Sequence, residues 1–421
     1  MILCRHVGCF ENLKIYFQAK TTQILVSLEN SFYFCNRIYR LLKKMSNTKS
    51  LRVASIDAMR AMTMMLMLFV NDIPGLKGVP HWLFHATAEE DMLGFSDTIF
   101  PAFLFCVGMS VPFAIENRRK KGDSSFKVMR HVLWRGVALI VMGLFILNHH
   151  AVNCMSDLVY SLLMIAGFFL IWTDYDHNAL KERTVVVRSL KAIGILLLVG
   201  VFVWCYVHGD HFETGWWGIL GLIGWSYLVT SIVYLMGCRP VNWGVMAIGV
   251  VMIIGILLYV PSAWSGHALC IAGLLASMLM RHFKRKEAHV QLIAVFWAIG
   301  AVMLVAGIWA HQYWIISKIQ GTPTWVFFCL AIYFPLMSVL YWLMDVKGYT
   351  SWTWLIAPAG TATLTCYLLP YVWYPVSDAL HLHLPQGWWY GVMGIILSLV
   401  YSLIIIQIVR WMKRIGLVVK L

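Results

Sequence analysis

A histidine at the edge of an apolar segment needs a chemical reason to be there, because lipid gives an ionisable side chain no partner. His85 is placed in this way, within NDIPGLKGVPHWLFHATAEEDMLGFSDTIFP (71–101), between two strongly apolar stretches. An imidazole there can take a proton from an attacking amine or hydroxyl, or act as the nucleophile and carry a group on. Asn71, at the end of the preceding apolar run, can donate to a carbonyl oxygen as charge builds on it or orient the ring; the plainer reading is an amide satisfying a neighbouring helix. Asp97 opens the next run, where capping that helix ranks ahead of catalysis. His81 shares the loop and competes with His85, and Asn148 is a further member of the same polar cluster. At the opposite end of the first run, Asp57 and Arg60 at i, i+3 share a helix face and read as an ion pair or as part of an anion site.

The elements that position these residues follow from composition. Of 421 residues 60% are hydrophobic and 12% charged, with mean hydropathy +0.74, values outside the soluble globular range. The expected fold is an all-α polytopic integral membrane protein. About twelve apolar runs are long enough to span a bilayer as helices: 54–73, 94–115, 131–149, 154–172, 189–207, 216–236, 241–260, 266–282, 290–310, 323–343, 353–373 and 387–410. The net charge of +14 is a topology signal and does not point to nucleic acid. Arg118 to Lys121, Lys181, Arg183, Arg188, Arg239, Arg281, Lys284 to Lys286, Lys347, Arg410, Lys413 and Arg414 fall at alternate loops, whereas the other loops hold only Lys77 and Lys318. The positive-inside rule then puts both termini in the cytoplasm and His85 outside. The outward histidines and acids, among them His149, His150, His311, His383, Glu89, Glu90, Asp91 and Asp210, read as solvated loop. The ten cysteines show no ligand spacing, so neither a zinc site nor a disulfide framework is indicated and no metal is expected.

Residues 1–44 are polar and basic, without a long apolar run or a cleavage-site pattern. Met45 begins MSNTKSLRVASID, a plausible start, which makes 1–44 either an over-extended reading frame or a basic cytoplasmic tail; 45–421 is the membrane domain.

The stretch RVASIDAMRAMTMMLMLFVND from Arg52, then FHA, then FSDTIFPAFLFCVGMSVPF, resembles the transmembrane acyltransferases typified by heparan-alpha-glucosaminide N-acetyltransferase and its bacterial relatives. The matching positions are Arg52, Ser55, Asp57, Arg60, Asn71, His85, Ala86, Asp97, Phe100 and Pro101, and the later TPTWVFFCLAIYFPLMSVLYWLMDVKG resembles the family's span ending in a D-V-K-G loop, Asp345 to Gly348 with Lys347. Ala61 stands where the family has Gly, the loop carries an EED insert (Glu89 to Asp91), and the hairpin near 216–260 looks additional. The resemblance implies transfer of an acetyl group from cytoplasmic acetyl-CoA to a sugar amine or hydroxyl on the far side. His85 would be base or acetyl carrier, Asn71 would support it, and Arg52 and Arg60 with Asp57 would bind the donor. It implies a protein of the bacterial cytoplasmic membrane with membrane lipid and a sugar or amino-sugar as partners, and is compatible with a homodimer. The competing readings are a twelve-helix secondary transporter, with Asp57, Asp157 and Asp345 lining a path, and an O-acyltransferase of envelope glycans.

Overall fold

Where no water reaches the backbone, amides must be satisfied within the chain, and the computed structural model is accordingly helical, with no strand among the described residues. These are 53–149, 153–175, 183–237, 243–259, 262–382 and 385–421. Residues 1–44, Met45, Arg52, His150, Lys181, Arg239 and His383, all singled out above, lie outside them.

The helices are α1 (Ala54–Asp72), α2 (Phe95–Lys120), α3 (Ser125–Leu147), α4 (Asp157–Trp172), α5 (Thr184–Val207), α6 (Gly218–Gly237) and α7 (Trp243–Tyr259), followed by α8 (Ser265–Arg285), α9 (His289–Ala310) and α10 (Pro323–Tyr341). After a π-turn at Trp342–Val346 come the short α11 (Ala357–Thr361), α12 (Thr363–Leu368) and α13 (Pro370–Ala379), and α14 (Gly391–Arg414) closes the chain. Among the described residues eight are long and apolar enough to cross a membrane, namely α2, α3, α5, α6, α8, α9, α10 with its π-turn, and α14; α4 and α7 are shorter apolar helices. The chain is thus an all-α polytopic membrane protein. Leu196, Val251 and Val305 point outward and are exposed, as lipid-facing residues would be.

The expected span 353–373 is not one helix. Pro358 and Pro370 each sit in the first turn of a new helix, where proline is tolerated, and Ala362 leaves the helical region (φ −127°, ψ 44°). The broken stretch nevertheless packs on α1: a Cβ on Gly360 would stand 2.7 Å from the Asp57 carbonyl oxygen. Elsewhere small residues set the crossings. A Cβ on Gly108 would lie 1.8 Å from the Cys270 carbonyl oxygen and one on Gly273 2.0 Å from that of Phe105, so α2 and α8 touch backbone to backbone.

Contacts sort the loops into two ends. At one, Lys77 pairs with Tyr390, Asp91 reaches His311 and Asn148 reaches Glu213. At the other, Asp345 accepts from Ser55 N (3.0 Å) and Ser55 Oγ (2.6 Å) and lies 3.3 Å from Lys284 Nζ. Val53, the residue preceding α1, supplies no side-chain cap, so a carboxylate 290 residues away satisfies a first-turn amide of that helix.

Candidate active site

Helix α2 starts at Phe95 because Gly94 can sit against the preceding loop: a Cβ there would fall 2.2 Å from the Phe84 carbonyl oxygen and 2.8 Å from Asp97 Oδ2. Gly94 takes the cap position, and its carbonyl accepts from Asp97 N at 3.0 Å. The capping role expected of Asp97 is therefore not the one found, since no side-chain cap closes this helix. Its carboxylate turns to the loop, where Oδ1 lies 2.7 Å from His85 Nδ1 and Oδ2 accepts from Ala86 N at 3.0 Å. Only 2% of the Asp97 side chain is exposed against 41% of His85, so a buried carboxylate at a helix N-terminus orients a ring that faces out. An ionised carboxylate only accepts, which places the ring hydrogen on Nδ1 and leaves the Nε2 lone pair free to take a proton or attack a carbonyl carbon.

Lys318 joins this pair from the α9–α10 loop, with Nζ 3.7 Å from Asp97 Oδ1 and 3.2 Å from His85 Nδ1. Because Nδ1 spends its hydrogen on Asp97, the lysine contact is electrostatic and shares the carboxylate's charge. Burial pushes the Lys318 ammonium below the usual lysine range, while Asp97 pulls it back up.

The loop around His85 is held by its own acids. Asp91 accepts from Ile316 N at 2.8 Å and pairs with His311 Nε2 at 2.7 Å, and Ala88 O accepts from Ser317 Oγ and Gln320 Nε2. Glu90 pairs with His81 Nε2 at 2.9 Å and accepts from Thr87 N at 2.7 Å. The Ile316 amide holds the Asp91 carboxyl below the ordinary range, and the Thr87 amide does the same for Glu90. Two residues of the EED insert thus organise the site's loop instead of merely meeting solvent, and His81 is committed to one of them.

The other expected residues make different contacts. Asn71 is exposed in the last turn of α1 and makes no side-chain hydrogen bond to a described residue. Asn148 is buried and ties the end of α3 to Glu213, accepting from its N (2.8 Å) and donating to its O (3.0 Å). Next to Asn71, Asp72 was passed over; its Oδ1 accepts from Tyr374 Oη at 2.7 Å. His149, read as solvated, is buried against Ser161.

At the opposite end Arg60 clamps three elements: Nη1 donates to Gly360 O (3.2 Å) and lies 3.5 Å from Asp57 Oδ1, and Nη2 donates to Ser110 Oγ. Arg410 donates to Trp354 O and Leu355 O, and Lys413 to Thr361 Oγ1 at 2.9 Å. Lys347 is exposed, its Nζ 5.5 Å above the Trp342 ring. Arg60, Lys284, Arg410 and Lys413 thus gather around the irregular stretch 342–361. Sequence reading gave Lys318, Arg410 and Lys413 no role in a site; the i, i+3 spacing of the last two is the only linear hint.

The chain is 30% identical to human heparan-alpha-glucosaminide N-acetyltransferase over 116 residues, 28% of this chain and 16% of the relative. It is 28% identical to the mouse protein of the same name over 116 residues, 28% of this chain and 17% of the relative. The match therefore spans about a sixth of the length of these curated relatives. Residues 52–267, which include His85 and Asp97, match the family described as "Domain of unknown function (DUF5009)", and over this half of its length the chain belongs to that family, as a distant relative of the heparan-alpha-glucosaminide N-acetyltransferases.

Proposed function

We propose that the protein transfers an acetyl group from acetyl-CoA, bound at the cation-rich cytoplasmic end, to a sugar amine or hydroxyl at the His85 end outside. The observation that carries this reading is the His85–Asp97 pair, a ring oriented by a buried carboxylate with Nε2 open. Similarity to proteins named as N-acetyltransferases supports it, as does the loop charge asymmetry for orientation. In direct transfer His85 Nε2 removes the acceptor's proton while its nitrogen or oxygen bonds to the acetyl carbon. The carbon–sulfur bond breaks and the thiolate of CoA takes up the proton. In the stepwise form Nε2 bonds to the acetyl carbon as the carbon–sulfur bond breaks and CoA leaves as its thiolate; the acceptor's nitrogen or oxygen then bonds to that carbon, the Nε2–carbon bond breaks, and the acceptor's proton ends on the thiolate.

The donor's phosphates call for fixed cations. Arg410 and Lys413 bond to backbone or hydroxyl oxygens, Arg60 bonds to Gly360 O and Ser110 Oγ besides its pair with Asp57, and Lys347 is exposed over Trp342. For the thioester to meet the acceptor, part of the interior must be polar. Asp72, Ser398 and Tyr401, on α1 and α14 near the broken stretch, gather their polar atoms beside Tyr374, the kind of cluster that can line a wetted or ligand-filled space. The test is release of CoA from acetyl-CoA by purified protein in detergent against a panel of amino sugars and oligosaccharides. Release that depends on an amino sugar supports N-acetylation, and release with hydroxyl acceptors alone supports O-acylation. The break at 357–379 favours one second reading, a secondary transporter, and absence of CoA release with every acceptor would install it. The bacterial cytoplasmic membrane is the location this reading carries.

A further inference from the structure

We propose that Cys154 and Cys205 are joined by a disulfide in the mature protein, fastening the α3–α4 loop to the outer end of α5. The proposal rests on the orientation given above, since disulfides persist on the extracytoplasmic side of a membrane and not in the cytoplasm.

The two sulfurs stand 3.2 Å apart although 51 positions separate them in the chain. Cys205 is buried in the last turn of α5, and Cys154 is half-buried in the loop above it. One residue builds the approach from both sides. Asp210 N donates to Cys205 O at 3.0 Å, and Asp210 Oδ2 accepts from Asn153 N at 3.1 Å and Cys154 N at 2.9 Å. The reciprocal Asn148–Glu213 pair fixes the same two segments a few residues away. The two segments are thus tied together at Asp210, and a bond needs the sulfurs brought in from 3.2 Å.

Cys154, Cys205 and Asp210 are also the one trio among the described residues with ligand atoms near enough to share a metal ion. The geometry favours the crosslink. Two thiolates on a tetrahedral zinc with Zn–S of about 2.3 Å stand about 3.8 Å apart, farther than these sulfurs, and Asp210 Oδ2 is already spent on two amides. The crosslink is therefore the reading that the geometry supports. In forming it each thiol gives up one proton and one electron; the sulfur–sulfur bond forms as the disulfide of a thiol–disulfide oxidant takes up both and leaves as a dithiol.

The full-length protein is extracted in the presence of a thiol alkylator, denatured and digested without reductant, and the peptides are weighed. The expected result is a linked Cys154–Cys205 peptide pair, lighter than the sum of its parts by two hydrogens and separated by reductant. Reductant should also lower the apparent Tm of the natural protein and leave that of Cys154→Ser unmoved. Both positions alkylated, zinc in one-to-one amount with free thiols, or Cys154 linked to a second copy of the chain would each overturn the proposal. Orientation is scored separately by labelling Lys77→Cys with a membrane-impermeant reagent on intact cells. Labelling from outside with free thiols at 154 and 205 overturns the disulfide alone, whereas labelling only after permeabilisation overturns the orientation and the disulfide with it.

Discussion

Asp97→Asn separates an orienting carboxylate from a structural one. The side chain is 2% exposed and meets three groups: His85 Nδ1 at 2.7 Å, Ala86 N at 3.0 Å and Lys318 Nζ at 3.7 Å. Asparagine keeps the shape and one carbonyl oxygen. With that oxygen held by Ala86 N, the amide NH2 points at Nδ1 and Lys318, two donors facing donors. The imidazole escapes by moving its hydrogen to Nε2, which accepts a bond at Nδ1 but removes the lone pair that the reaction needs. Misplacing the proton of a general base in this way costs about 10²- to 10⁴-fold in kcat, or about 2.7 to 5.4 kcal/mol of barrier. Because the Ala86 bond survives, the stability loss should stay within about 1–3 kcal/mol, leaving folded protein to assay. CoA release measured against acetyl-CoA concentration should show the fall in kcat with KM for acetyl-CoA nearly unchanged, because the donor's phosphates bind at the other end. A variant keeping more than about a tenth of the rate, or losing donor affinity in step with rate, would refute the dyad.

His85→Ala should lose about 10²- to 10⁴-fold in rate while His81→Ala, whose ring pairs with Glu90, retains most of it; the reverse pattern in the same assay would move the site four residues. Arg60→Met should raise KM for acetyl-CoA more than KM for the acceptor, and an equal rise in both, or loss of folded protein alone, would mark Arg60 as a clamp between α1, α2 and Gly360. Asp91 and Glu90 have depressed carboxyl groups in the folded loop, so their stabilisation is fully present above the unfolded pKa of about 4 and is lost as pH falls through the lower folded value. Hydrogen-exchange protection in 311–320, corrected for the intrinsic exchange rate at each pH, should be high at pH 6 and fall below about pH 4, and Asp91→Asn should lower it at pH 6.

What could be read from the chain was whatever its local chemistry expresses. Apolar runs gave most helices to within a few residues, with α2 expected from 94 and found from Phe95. The expected span at 353–373 failed because a hydropathy average passes over Pro358 and Pro370, each of which restarts a helix. Both signals were in the sequence, and the prolines decide the backbone while the apolar side chains decide only burial. At the site, His85 and Asp97 could be named from one motif, yet their partnership needed the loop to fold back over a glycine-capped helix start. Sequence distance hides such contacts more completely as it grows. Lys318 lies 233 positions from His85, and Asp345 caps a helix 290 positions away; in the linear chain one reads as a stray outward cation and the other as a loop acid. The same limit explains the cysteines, whose spacing suggests nothing until Asp210 bonds to the backbone at both. Asp345 also ties the late D-V-K-G loop to Ser55, the start of the first motif, so the two stretches that resemble one family are parts of a single joint. Under the proposed function the cations at that joint would bind the donor's phosphates, and the oriented ring would act at the other half-site. A rate lost at Asp97 with donor affinity kept, and donor affinity lost at Arg60, would show that α1 connects two half-sites of one reaction.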